Sequence, residues 1–186
     1  ALPIYTMPQH DAMLTAHYTF SPPTNPEEPG ETTGQLRIYA LSTTGSVGQH
    51  LLFPIYLENP QAVQSMSVDV QLPEGFVVDS ENITLAARAS GHQLTVTNRG
   101  SNAYRLQLEG TMGFTGNNGK VLDIPVTIPT DAEPGHSYTV TLSRGLANTQ
   151  QNIPLRHGAI YVEQQHENGL YARFTYDKVD DRVRFT

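Results

Sequence analysis

The side chains able to do chemistry in this chain are seven histidines, scattered carboxylates and a few hydroxyls, with no cysteine. No two of His10, His17, His50, His92, His136, His157 and His166 stand two or four apart, the spacing of a local metal chelate. His10 and His17 are seven apart and point to opposite faces of an extended strand. Asp177, Asp180 and Asp181 in "YDKVDDRV" could share a Ca²⁺, but the segment lacks the glycine and closing glutamate of an EF-hand loop and reads as a polar hairpin turn. "ASGHQL" puts Ser90 two residues from His92, without a Gly-x-Ser-x-Gly elbow or a carboxylate to orient the imidazole. Glu58, Glu74, Glu81 and Glu109 could supply a glycosidase acid pair, yet carboxylates scattered over a strand-rich chain meet often by chance. "NIT" at Asn82–Thr84 is a glycosylation sequon, without consequence in a bacterial source. None of these patterns names a reaction. The expectation is a non-catalytic protein with no catalytic residues, no cofactor and no metal site.

Two sets of residues fit binding better. Sugars stack on aromatic faces while polar side chains read their hydroxyls. The chain has no tryptophan, which argues against a flat platform for crystalline polysaccharide. Tyr39 and Tyr56 fall opposite the main apolar sets of their strands, so both rings are expected to be exposed together; cover by flanking segments is the competing reading. The second set is a polar strand face: Ser65, Ser67, Asp69, Gln71, Arg105, Gln107 and Glu109. The candidate ligand contacts are therefore Tyr39, Tyr56, Ser67, Asp69, Gln71, Arg105 and Gln107.

The elements that must position these residues are strands. Period-2 alternation runs through the chain, broken by Gly, Pro and Asn turns about every ten residues, and helical periodicity is nearly absent. Leu51, Phe53, Ile55 and Leu57 share one face of "HLLFPIYLEN". Met66, Val68, Val70 and Leu72 oppose Ser65, Ser67, Asp69 and Gln71. Tyr104, Leu106 and Leu108 oppose Arg105, Gln107 and Glu109. Leu122, Ile124, Val126 and Ile128 oppose Asp123 and Thr127, and Tyr138, Val140 and Leu142 oppose Thr139 and Thr141. One dry and one wet face per strand is the pattern of antiparallel sheets stacked as a sandwich. Weaker strands are expected in "QLRIYAL", "NITLAAR" and "HQLTVTN". Pro54 and Pro125, which lack an N–H, predict edge strands or bulges. Asn168-Gly169 predicts a two-residue hairpin turn.

Composition bounds the rest. The 186 residues are 38% apolar, which predicts thin layers. A net charge of −7 argues against binding nucleic-acid phosphates. No apolar run approaches the roughly 20 residues of a membrane helix, so no membrane insertion is expected. The start "ALPIYTMP" lacks the basic flank and apolar core of a signal peptide, so the chain is expected to be a mature protein or an excised fragment. "PPTNPEEPGE" holds four of the 13 prolines and reads as an extended, solvated spacer.

Residues 34–163 resemble a cohesin-type module of the carbohydrate-binding-like jelly rolls. The resemblance lies in "GQLRIYAL", then "SVGQHLLFPIYLENPQAVQSMSVDVQLPEGFVV" with its Leu-Pro-Glu-Gly-Phe corner, then "GNNGKVLDIPVTIPTDAEPGHSYTVTLSRGLAN" and the closing "IPLRHGAIYVE". "YTMPQHDAMLTAHYTF" is similar to the last strand of an internalin-type bacterial surface repeat. "GLYARFTYDKVDDRVRFT" is similar to the opening strands of a PKD-type β-sandwich, whose later Trp-Asp-Phe-Gly-Asp-Gly segment is absent. The implied fold is all-β, an antiparallel β-sandwich of cohesin-like jelly-roll type, with an extra N-terminal strand and a C-terminal β-hairpin. The implied organisation is 1–20 as the end of an upstream repeat, 21–33 as a linker, 34–163 as the sandwich and 164–186 as the start of a further module. The implied role is an interaction or adhesion module of a multi-domain bacterial cell-surface or secreted protein, with a dockerin-like protein module as partner. Its alternative is soluble-glycan binding, with a cell-surface glycan as partner.

Overall fold

The computed structural model describes residues 32–164 and the backbone of two further strands, Phe174–Asp177 and Arg182–Phe185. Along the chain the strands are β1 (Arg37–Ala40), β2 (Thr43–Gly45), β3 (His50–Glu58), β4 (Ser65–Gln71) and β5 (Val77–Val78). Then come β6 (Thr84–Leu85), β7 (His92–Gly100), β8 (Ala103–Gly110), β9 (Asn118–Thr127) and β10 (Ser137–Ala147). The last are β11 (Gln150–Gln151), β12 (Leu155–Arg156), β13 (Gly158–Val162), β14 (Phe174–Asp177) and β15 (Arg182–Phe185). The first sheet runs β12-β1-β3-β9-β5, with β6 also on β9; the second runs β2-β13-β10-β4-β8-β7, with β11 also on β10. The chain is all-β, two sheets face to face.

The alternation read from sequence sorts the core as expected. Phe53, Ile55, Leu57, Val68, Val70, Leu106, Leu108, Leu122, Ile124 and Val140 are all buried between the sheets. Burying each such side chain stabilises the fold by about 1.5–3 kcal/mol, which must offset the ordering entropy of its own residue. Tyr104 and Tyr138 are only partly buried against this core.

Two parallel pairs close the sandwich. β1 and β2, separated by Leu41 and Ser42, lie in different sheets; so do β12 and β13, separated by His157. β1 pairs with β12 and β2 with β13, both in parallel, so the first and last strands of the sandwich cross between layers side by side. The crossing is tight at Gly158. A Cβ there would lie 2.9 Å from the Ala40 Cβ, the Leu41 carbonyl oxygen and Phe53 Cζ.

Two expectations are corrected. β3 and β9 are interior strands, so Pro54 and Pro125 do not mark edges. Pro54 lies one residue past the end of the β1 pairing and beside a register shift between Ile55 and Tyr56, whereas Pro125 sits on β9 between the β5 and β6 contacts. Each ring thus occupies an interruption in the neighbouring ladder, where an N–H is not required. "NITLAAR" is a strand only at Thr84–Leu85; 3₁₀ turns occupy Ser80–Asn82 and Ala87–Ala89. Beyond the sandwich, β14 pairs with β15 in antiparallel register, Phe174 opposite Phe185. The strand expected in 1–20, the spacer up to residue 31 and the Asn168-Gly169 turn lie outside the described residues.

Candidate functional site

The outer face of the second sheet brings the polar candidates together. Ser67 stands opposite Gln107 and Asp69 opposite Arg105 across the β4–β8 pair. Arg105 Nε donates to Asp69 Oδ1 at 2.6 Å, and this bond is the main reason its guanidinium pKa lies above the usual arginine value. Arg144 approaches the other carboxylate oxygen, Nη1 to Oδ2, at 3.7 Å. Ser67 and Asp69 are themselves largely buried, on a strand flanked by β10 and β8. Gln71 is committed locally: its amide donates to the Ser101 and Leu72 carbonyls, bracing the β7–β8 turn.

Two arginines that the alternating pattern does not single out complete this face. Register shifts between Asn98 and Gly100 against β8, and between Ser143 and Leu146 against β4. Arg99 stands in the first bulge and Arg144 in the second. Gly145 packs inward, where a Cβ would lie 2.6 Å from Leu155 Cδ2, and Arg144 is left outward with a φ of 51°. A pocket of about 220 Å³ opens between the bulges, lined by Asp69, Gln71, Arg99, Ala103, Ser143 and Arg144. The sequence signal was Gly inside a strand, as Arg99-Gly100 and again as Arg144-Gly145.

The tyrosine pair lies on the opposite outer face, and its expected exposure is corrected. Tyr39 and Tyr56 do face each other across β1 and β3, stacked with centroids 5.1 Å apart and planes at 21°. Tyr39, however, is 3% exposed. Its hydroxyl donates to Asn118 Oδ1 at 2.7 Å, and the Arg37 guanidinium carbon lies 4.7 Å from its ring centroid. Burial raises the pKa of both phenols. Tyr39 is spent on packing; Tyr56 alone keeps a half-exposed ring.

Among the described residues, Glu58 and Glu109 are kept apart and Ser90 is not bonded to His92. Glu58 lies on the outer face of the first sheet and Glu109 on that of the second, so those two cannot pair. Glu58 Oε1 accepts from the Gly34 N–H at 2.6 Å; Oε2 accepts from Thr33 Oγ1 at 3.0 Å and Arg37 Nε at 2.8 Å. Burial by itself would raise the Glu58 pKa, but these bonds outweigh it and hold the carboxyl below its ordinary value. Asn82 of the sequon donates to Asp79 Oδ2 at 2.8 Å. Among the described residues no three His, Asp or Glu side chains gather as for a metal. The side chains of Asp177, Asp180 and Asp181 lie outside the described residues.

Ser90 is exposed, whereas His92 is buried and stacked on Phe114, centroids 3.8 Å apart and planes at 14°. Among the described residues neither imidazole nitrogen has a partner at good hydrogen-bond geometry, Ser90 included. A Cβ at Gly110 would lie 2.9 Å from the ring, so the glycine opposite makes room for it. Burial lowers the His92 pKa; the Ala89 and Gln64 carbonyls favour the charged form but do not overcome it. The folded protein therefore resists a proton that the unfolded chain accepts. His92 should leave stability intact above its unfolded pKa of about 6.5 and remove some as pH falls below it. Urea unfolding followed from pH 8 to pH 5 should show that decline in wild type and a flatter profile in His92→Leu. An unchanged profile in the variant would assign the decline elsewhere.

Neither a family model nor a curated protein matches the chain by sequence. Solved structures match it in fold. It is similar to a non-cellulosomal cohesin from the archaeon Archaeoglobus fulgidus, 17% identical with a TM-score of 0.59, covering 72% of this chain and 94% of that one. It is similar to the sixth cohesin of Acetivibrio cellulolyticus scaffoldin B, solved with a Cel5 dockerin, 13% identical with a TM-score of 0.59, covering 69% and 98%. It is also similar to a type III cohesin module of the cell-surface anchoring scaffoldin ScaE of Ruminococcus flavefaciens, 13% identical with a TM-score of 0.55, covering 74% and 95%. The chain has the cohesin-like jelly-roll fold.

Proposed function

We propose that residues 34–163 form a non-catalytic docking module of a multi-domain bacterial cell-surface or secreted protein. In this reading 1–20 end an upstream repeat of internalin type, 21–33 are a linker, and 164–186 open a PKD-like module. The partner is a protein module of the dockerin kind, held on the outer face of the second sheet. The observation that carries this reading is the Ser67, Asp69, Arg105 and Gln107 quartet at the centre of that face, on two paired interior strands. A cohesin-like fold in which, among the described residues, Glu58 and Glu109 lie on opposite outer faces and Ser90 makes no hydrogen bond to His92 supports binding over hydrolysis. Solved relatives in fold include cohesins captured with dockerins, from Acetivibrio cellulolyticus and Clostridium thermocellum. Soluble-glycan binding loses its stacking platform with the burial of Tyr39.

Biolayer interferometry against an immobilised panel of dockerin modules tests the proposal. At least one module should bind, and Ser67→Tyr, which places a bulky ring at the centre of the face, should weaken that binding by about ten-fold or more. A panel that stays silent, or a binder indifferent to Ser67→Tyr, would count against docking on this face.

A further inference from the structure

We infer that the partner presents a carboxylate to the pocket between Arg99 and Arg144. This rests on the docking face proposed above. The two interruptions of ladder register in the second sheet's antiparallel pairings each carry an arginine, one on the edge strand β7 and one on the interior strand β10, and bulges re-aim the side chains they carry. The rims are held by left-handed backbone: Gly100, Ser101 and Asn102 on one side, Arg144 on the other. An L-residue at a φ of 51° is strained, and Arg144 recovers little by packing, with its side chain 66% exposed.

The charge count within the pocket points to an acidic visitor. Asp69 is already engaged by Arg105 at 2.6 Å, so its charge is largely answered before Arg144 is considered. Arg99 makes no ion pair or hydrogen bond with any described residue, and the chain as a whole carries −7. Positive charge is therefore in surplus here on a protein that is otherwise acidic. The large exposed apolar side chains among the described residues lie elsewhere: Leu52 and Val77 outside the first sheet, Met112 in the loop after β8. A partner held on this face is recognised by charge and hydrogen bonds rather than by an apolar anchor. Guanidinium forks match the two oxygens of a carboxylate, and an aspartate or glutamate on a protein module supplies that group with the opposite sign of charge. A uronate polysaccharide carries the same group and is a separate outcome.

The test compares wild type, Arg99→Glu/Arg144→Glu, Arg99→Gln/Arg144→Asn and Ser67→Tyr against the dockerin panel at low and high ionic strength. The same proteins are run on affinity gels containing polygalacturonate. Asn at 144 tolerates the left-handed backbone, so the neutral variant guards against a folding defect, checked by circular dichroism. The expected result is a panel member whose affinity falls about ten-fold or more with either arginine variant, and further with Glu than with Gln and Asn. Wild-type binding should weaken with salt, and an Asp→Arg or Glu→Arg change in that partner should restore binding to the Glu variant. A binder lost with Ser67→Tyr but unmoved by both arginine variants overturns the carboxylate inference and leaves docking standing. Retention by polygalacturonate alone, abolished by the arginine variants, overturns the protein partner. A silent panel and a silent gel overturn both.

Discussion

Ile124→Asp is expected to leave no cooperatively folded protein. Ile124 is 1% exposed on β9, in register with Phe53 and facing the second sheet. An unpaired carboxylate there costs several kcal/mol, and the lost apolar burial adds about 2 kcal/mol more. Together they approach the roughly 5–15 kcal/mol that holds a typical domain. The control is Thr127→Asp, three residues along the same strand and facing outward, which should melt within a few degrees of wild type. Far-ultraviolet circular dichroism and urea titration read both. A soluble Ile124→Asp with a native unfolding midpoint would show that β9 does not face the core.

Arg88→Ala is the second large effect, from a residue with no counter-ion among the described residues. The Arg88 guanidinium donates to five oxygens: Nε to Thr115, Nη1 to Leu57 and Gly119, Nη2 to Gly116 and to the Asn59 side chain. Four are backbone carbonyls, three of them on the 115–119 segment that enters β9 and one at the end of β3. The side chain thus fastens a loop to both strands. Burial lowers its pKa, an effect that the nearby Tyr39 partly offsets. Bonds from a charged donor are worth about 1.5–3 kcal/mol each, and water will replace those at exposed Thr115 and Gly116. The net loss should be about 2–4 kcal/mol, read as a lower urea midpoint and faster amide exchange over 115–119. Arg88→Lys should recover little, since one ammonium cannot reach five acceptors in a plane. A lysine variant as stable as wild type would show that charge, not the fork, fastens the loop.

Arg88 also shows what local pattern reading misses. It sits in a 3₁₀ turn between weak strands, in a stretch read as a continuous strand, and its acceptors lie 27–31 residues away. No spacing in the sequence encodes such contacts. The tyrosines failed for a related reason. Alternation assigned Tyr56 to an outer face correctly, and it assigned Tyr39 there too. Outer does not mean exposed, however: Arg37, Tyr56 and Asn118, brought in from three strands, occupy the surroundings of Tyr39. The polar quartet was legible because its members stand two apart on strands with clean alternation, and antiparallel pairing of those strands then aligns them.

The sequence by itself determined which side chains enter the core, because a strand turns successive residues to opposite sides whatever its neighbours are. That was enough for the sandwich and for the polar character of β4 and β8. Only the tertiary structure decided which outer faces meet, which prolines fall opposite gaps and where the ladder slips to turn Arg99 and Arg144 toward Asp69. Those outcomes depend on strand order and register, and both are set by contacts between segments far apart in the chain, which no local period records.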